Sequence, residues 1–290
     1  MKDLRQISVI GLGLLGGSIT LAVLRSLPRV KVVGYAHRSV TRRKARQLAV
    51  ATEIVGDIEA GVSGADIVIL ATPVCTFEEI FGRIAEALPA GCIVTDVGST
   101  KVLPHRWAAK RLTKTVHYVG SHPIAGSEQR GIEFARDDLF DRAVCILTKT
   151  KKTSSRAVQT LRKFWTHLGC AVNLMAPAEH DRIFADVSHL PHLIAAALIN
   201  ANNAKSLKFA GRGFIDTSRI ASGPANIWAD IFLTNANTPR AIDNIITELL
   251  KLKRAIEEGN KKQIENLLEK ARAKRAALIK QKIKKREIIS

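Results

Sequence analysis

Short apolar runs at 7–10, 30–35, 67–71, 93–96, 118–120, 144–147 and 171–174 alternate with other stretches near 16–27, 41–49, 77–87, 102–111 and 154–168. In those stretches apolar residues recur at helical spacing. Strands alternating with helices of this length predict βαβ units and a mostly parallel sheet. After Ala176-Pro177 the pattern changes. No strand-like run follows; 177–204 reads as one long helix kinked at Pro191, where the ring removes a backbone donor. A turn at Gly211 and Gly213 comes next, and helical periodicity then runs from about 225 to 286 with a break at Gly259-Asn260. The expected architecture is an α/β domain over residues 1–175 followed by an all-helical domain over 176–290. A helical domain this small and apolar predicts a homodimer, in which a second subunit completes its core.

Composition narrows the class. Of 290 residues, 46% are hydrophobic and 24% charged, an ordinary globular mix rather than that of a disordered chain. The opening residues lead straight into a strand, so no signal peptide is expected, and no apolar run is read as reaching the roughly 18 residues of a membrane span. Cys75, Cys92, Cys145 and Cys170 form no CxxC pair, so neither a disulfide framework nor a zinc ribbon is indicated and a reduced cytoplasm is expected.

The net charge is +19, and residues 251–290 carry 14 Lys and Arg against five Glu. Nucleic-acid proteins share such a balance. This tail, however, holds no aromatic residue for stacking, and Leu249, Leu252, Ile256, Ile264, Leu267, Leu268, Ala271 and Leu278 recur at helical spacing. It reads as a helix with a solvated basic face, and no nucleic-acid or membrane partner is expected.

The sharpest motif closes the first strand and opens the first helix: Gly11-Leu-Gly13-Leu14-Leu15-Gly16-Gly17-Ser18. In this GxGxxG the first glycine allows a tight turn, the second lets backbone approach a pyrophosphate, and the third allows close helix–strand packing. The pyrophosphate then faces unpaired N–H groups at the helix start. A Rossmann-type dinucleotide-binding domain is therefore expected. An acidic residue about 20 positions on would bind the ribose of NAD, but that place holds Ala36, and no Asp or Glu occurs between Asp3 and Glu53. His37, Arg38, Arg42 and Arg43 stand there instead, and a cationic cluster attracts a 2′-phosphate. The cofactor reading leans to NADP, with NAD as the alternative.

Three later segments carry chemistry: Thr95-Asp96-Val97-Gly98-Ser99-Thr100-Lys101, Gly120-Ser121-His122-Pro123-Ile124-Ala125-Gly126-Ser127-Glu128, and His180-Asp181 with Ser188-His189-Leu190-Pro191-His192. The first two follow predicted strands, where open α/β sheets bind ligands. Together with the glycine turn, Ala71-Thr72-Pro73 and Thr217-Ser218-Arg219-Ile220-Ala221, they resemble the prephenate/arogenate dehydrogenases of tyrosine biosynthesis, over nearly the whole chain.

The resemblance implies oxidative decarboxylation of a cyclohexadienol dicarboxylate, with hydride leaving its carbinol carbon for the nicotinamide. His122 matches the family's catalytic histidine, and a neutral imidazole is suited to accept the carbinol proton near pH 7. Ser99 matches a residue that orients it. His192, Arg219, Ser127, Glu128 and Trp228 match substrate-pocket residues, and a guanidinium is suited to a carboxylate. Leu14, Leu15, Thr72 and Pro73 join the glycines, His37 and Arg38 as cofactor contacts. His189 reads as structural, Asp181 as helix charge or a supporting partner, and no metal site is expected from His180, His189 and His192. Arg212 departs from the glycine common at its place in the family. A different hydroxyacid or imine dehydrogenase of similar architecture is the alternative reading.

Overall fold

The computed structural model describes residues 4–125 and 129–284. Strands β1 (Gln6–Ile10), β2 (Lys31–Tyr35), β3 (Glu53–Val55), β4 (Ile67–Leu70), β5 (Ile93–Asp96) and β6 (His117–Tyr118) form a parallel sheet in the order β3-β2-β1-β4-β5-β6. This is the order of a dinucleotide-binding sheet. Its central strand β4 is apolar throughout because both faces are covered. Successive residues face opposite ways, so Ile7, Val9, Ile67 and Ile69 enter one core while Ile10, Val68 and Leu70 enter the other. Helices α1 (Leu14–Ser26), α2 (Ser39–Gln47), α3 (Ile58–Val62), α4 (Phe77–Ile84) and α5 (Val102–Arg111) connect these strands. The edge strand β3 was not legible in the sequence, being three residues long and starting at a charged one.

The run at 118–120, expected as one strand, is divided between two sheets. His117–Tyr118 completes the first sheet; Val119 is the single connector, its N–H donating to the Val94 carbonyl at 3.1 Å. Strand β7 (Gly120–Ile124) then begins a second sheet with β8 (Val144–Thr148) and β9 (Ala171–Met175), in the order β7-β8-β9. Its β7–β8 pair is antiparallel and its β8–β9 pair parallel. Helix α6 (Ser155–His167) connects β8 to β9, with the Ser154 hydroxyl accepting from Ala157 N–H at its start.

From α7 (Pro177–Phe184) onward the described chain is helical. Pro191 does not end the helix. A π-helical turn, Ala185–His189, widens the ladder just before it, and α8 (Leu190–Asn200) continues with Pro191 in its first turn. The widened turn accommodates the donor that proline lacks. The resulting helix Pro177–Asn200 is long and apolar enough by composition to cross a membrane, so the expectation that no segment reaches that length is corrected. Its buried face carries His180, Asp181, His189 and His192. Helices α9 (Ala204–Leu207), α10 (Arg212–Ser218) and α11 (Ala225–Thr234) follow.

The chain divides into two compact units, Met1–Ala236 and Asn237–Ser290. The style of structure changes at Met175–Pro177, but α7 to α11 stay with the α/β unit because α7 packs on α5 and α11 packs beside the turn before α4. The second unit holds α12 (Thr238–Glu257) and α13 (Lys261–Lys284), joined at Gly259-Asn260. Pairs such as Arg254–Glu258 and Arg272–Glu269 run along their surfaces.

Candidate active site

The glycine turn has the geometry its sequence requires. Gly11 sits at φ +101°, a left-handed conformation that favours glycine, and its N–H donates to the Tyr35 carbonyl at 2.9 Å. A Cβ on Gly16 would lie 1.8 Å from the Gly11 carbonyl oxygen, which no side chain can satisfy. A Cβ on Gly13 would meet nothing within 4 Å. The open side of the turn is thus at the start of α1, where free N–H groups suit a pyrophosphate. Leu14 and Leu15 are half-buried in that first turn. The loop after β4 closes against it: a Cβ on Gly11 would touch the Ala71 backbone and the Thr72 methyl. Thr72 is held by a 2.8 Å hydroxyl pair with Thr76, and Pro73 is exposed beside it. These residues fit a dinucleotide.

Beyond β2, Arg42 is removed from the cationic group. Its Nη1 donates to the carbonyls of Ala36 and His37 at 2.8 and 2.7 Å, bracing the loop. His37, Arg38 and Arg43 are exposed.

The second half of the site is buried and made of side chains. His122 lies on β7, next to the connector between the sheets, and its Nδ1 is 2.9 Å from His180 Nε2. His180 Nδ1 is 2.8 Å from Asp181 Oδ1. The Asp181 carboxylate also accepts the backbone N–H of Lys101 on Oδ1 at 2.7 Å and that of Val102 on Oδ2 at 2.9 Å, at the start of α5. Phe184 packs on both imidazoles, with ring centroids 4.7 Å from His122 and 4.5 Å from His180. Asn235 Nδ2 donates to the Asp181 carbonyl at 2.7 Å and lies 3.1 Å from His189 Nδ1.

A fully buried Lys101–Asp96 ion pair stands behind this chain. Asp96 also accepts from Tyr118 OH at 2.6 Å and from Gly98 N–H at 2.7 Å. Buried ions need such a full set of partners, and removing one partner costs about 3–5 kcal/mol. Burial, with His180 and Lys101 adding to it, holds the His122 imidazole well below its ordinary value. Burial likewise pushes His180 down to about 2. It pushes His189 to about 4, against the opposing pull of Asp181 and the Ser99 backbone. His122 is therefore neutral at pH 7, with a lone pair on one ring nitrogen.

The remaining sequence-selected residues fall around this core. Ser99 is half-buried in the β5–α5 loop, and its hydroxyl makes no hydrogen bond with His122, whose Nδ1 meets His180 instead. His192 is buried and stacked on Trp228, ring centroids 3.7 Å apart and 16° from parallel, and its Nδ1 has no partner among the described residues. Arg219 is exposed on the turn Arg219–Ser222, which packs against α8. Ser127 and Glu128 lie outside the described residues. Among the described residues no group of side chains could hold a metal, and the four cysteines are free. His180 and Lys101 were missed as working parts. The signal was a His-Asp doublet and a DxGSTK loop in one chain, but pairing them across some 80 residues takes the fold.

Comparison with known proteins agrees with this geometry. The prephenate dehydrogenase nucleotide-binding domain matches residues 19–174, and the prephenate dehydrogenase dimerization domain matches 176–271. The cyclohexadienyl dehydrogenase of Zymomonas mobilis is 33% identical over 88% of this chain and 90% of its own length. The prephenate dehydrogenase of Bacillus subtilis is 34% identical over 89% and 71%. Among solved structures, Aquifex aeolicus prephenate dehydrogenase in complex with hydroxyphenyl propionate and NAD+ superposes with a TM-score of 0.89 at 33% identity, covering 95% of this chain and 99% of that one. Synechocystis arogenate dehydrogenase gives 0.81 at 28%, covering 94% and 100%. With both domains matched in order and the glycine turn and buried histidine in place, the chain belongs to the prephenate dehydrogenase family.

Proposed function

We propose that this chain catalyses the oxidative decarboxylation of prephenate to 4-hydroxyphenylpyruvate, or of arogenate to tyrosine, using NADP in preference to NAD. The observation that carries the reaction is a buried, neutral His122 on β7, in a chain whose glycine turn is open to a dinucleotide.

When bound, the nicotinamide supplies the hydride acceptor. Gly11, Gly13, Leu14, Leu15 and Gly16 would hold the pyrophosphate, with Thr72 and Pro73 from the neighbouring loop. His122 takes the carbinol proton as the alcohol carbon becomes a carbonyl carbon. The electron pair of the breaking C–CO2 bond then passes through the ring to the carbonyl oxygen, which takes a proton back as CO2 leaves and the ring becomes aromatic. Ser99, in the loop between β5 and α5, hydrogen-bonds the reacting end of the substrate. Arg219 binds a substrate carboxylate, in the bidentate manner guanidinium favours, and His192, Trp228, Ser127 and Glu128 line the pocket. Prephenate is preferred over arogenate because, Glu128 apart, the pocket motifs offer no acidic partner for an ammonium group.

The NADP reading rests on Ala36 and on the exposed His37 and Arg38 after β2. A carboxylate there would repel a 2′-phosphate, whereas cations attract it. Residues 176–290 act as the substrate and dimerisation domain. The helix Pro177–Asn200, only 28% buried over its most apolar stretch, then packs against a second copy rather than a lipid. The free cysteines suit a reducing cytoplasm.

The test is a matrix assay of prephenate and arogenate, each with NADP and NAD, followed by absorbance of the reduced nicotinamide. Turnover of prephenate with NADP is the expected best combination. Silence in all four with folded, cofactor-bound protein rejects the reaction, and equal kcat/KM for the two cofactors rejects the phosphate pocket.

A further inference from the structure

The described hydrogen bonds to His122 through its ring raise a question the reaction itself does not answer: which nitrogen carries the proton. A neutral imidazole is a base only at the nitrogen without one. His122 uses Nδ1 to reach His180 Nε2 at 2.9 Å, which leaves Nε2 for any reacting group. The chain of contacts starts at Asp181. Its Oδ1 accepts the Lys101 N–H and its Oδ2 the Val102 N–H, so both oxygens are held as acceptors at the start of α5. A carboxylate in that setting accepts from His180 Nδ1 as well, 2.8 Å away. With its proton on Nδ1, His180 presents a lone pair at Nε2, and the His122 Nδ1 must donate to it.

We propose that His180 and Asp181 are positioning residues that fix His122 in the tautomer with hydrogen on Nδ1 and a lone pair on Nε2, the state needed to accept a proton from an alcohol. The inference rests on the dehydrogenase reading only for its consequence in turnover; the tautomer is a property of the protein itself. Burial supports it: His180 is fully buried and Asp181 1% exposed, and Phe184 stacks on His180 at 20°, so neither ring nor carboxylate has a solvent partner to choose instead. Helix α5 gives the carboxylate its orientation, and the same two bonds anchor the loop that carries Ser99. Asp181 therefore registers the base on β7 against that loop.

The experiment combines nitrogen-15 NMR of histidine-labelled, NADP-bound full-length protein with steady-state kinetics. The His122→Asn variant assigns the His122 signals. In the wild type His122 is expected to show a protonated Nδ1 and an unprotonated Nε2. Asp181→Asn offers His180 Nδ1 an amide donor, reverses the relay and moves the His122 proton to Nε2. The expected kinetic result is a fall in kcat of about 10²–10⁴-fold with KM for the cyclohexadienyl substrate changed far less.

A second pair of variants leaves the Asp181 bonds to α5 intact. His180→Gln keeps a carbonyl oxygen able to accept from His122 Nδ1 and is expected to keep kcat within about tenfold of wild type, whereas His180→Leu loses it to the same extent as Asp181→Asn. A wild-type His122 protonated on Nε2, a tautomer unmoved by Asp181→Asn, or equal kcat for His180→Gln and His180→Leu would each overturn the proposal. If wild-type protein turns over neither substrate with either cofactor, the reaction assignment fails, while the NMR arm still decides the tautomer.

Discussion

The cofactor turn and the histidine cluster are two ways of building half of one site. The turn is made of backbone: Gly11, Gly13 and Gly16 lie close together in sequence, open at Gly13, and are defined by the side chains they lack. The cluster is made chiefly of side chains, from β5, β7, α7, the π-helical turn after α7 and Asn235 after α11, with two backbone N–H groups at the start of α5; it is buried and defined by hydrogen bonds between residues up to 80 positions apart. The first is local. The second depends on long-range packing, where each polar group removed leaves another buried and unpartnered.

That contrast predicts separable failures. The largest effect is expected for His122→Asn, which should lower kcat by roughly 10²–10⁴-fold while fluorescence titration finds NADP affinity unchanged. A parallel loss of NADP binding would break the separation. Gly16→Ala should do the reverse. The forced Cβ contact with Gly11 costs on the order of 1–3 kcal/mol, read as NADP binding weakened about 10- to 100-fold, with the His122 NMR signals in place. Arg219→Gln should raise KM for the dicarboxylate about tenfold or more, as expected for a lost charged hydrogen bond, with kcat held; an unchanged KM rejects the carboxylate role. Arg38→Ala should weaken NADP by several-fold and leave NAD alone, in keeping with the small worth of an exposed charge.

The smallest effect sharpens the comparison through pH. Burial holds His105 and His189 at about 4 in the folded protein, against about 6.5 when unfolded. Below pH 6.5 the unfolded chain takes up protons that the folded one refuses, so stability falls as pH drops from 6.5 toward 4 and is flat above. The slope is on the order of 1 kcal/mol per pH unit for each such histidine. Asp181, raised by burial, acts in the opposite sense within the carboxylate range. Urea midpoints at pH 7, 6 and 5 should fall in that order. A midpoint that rises toward pH 5 would mean that the cluster is solvated.

The sequence made the cofactor half legible because its signal is contiguous. A strand, three spaced glycines and a helix state their own geometry, and the absence of acid between Asp3 and Glu53 needs no fold to be seen. His122, His192 and Trp228 were each singled out through motif resemblance, and the stacking of the last two came only with the fold. His180 was not given a role, since a buried histidine on an apolar helix is ordinarily packing. Only the meeting of β7 with α7 distinguishes it. The division of 118–120 between two sheets was equally hidden, for a run of β-type residues carries no mark of where its partners change.

That division has a consequence for register. Val119 is the whole connection between the sheet that holds the cofactor turn and the strand that holds the base. Along β7 the parity is strict: the Ser121 hydroxyl meets Thr95 and Trp165, and the His122 ring meets His180 and Phe184. One residue inserted after Val119 would turn each side chain to the opposite face, sending Ser121 toward the relay and the imidazole into the core. The spacing between Tyr118 and His122 is therefore a counted length, in which an even number of steps keeps the imidazole against His180 and Phe184 and an odd number turns it away without altering any residue of the cluster.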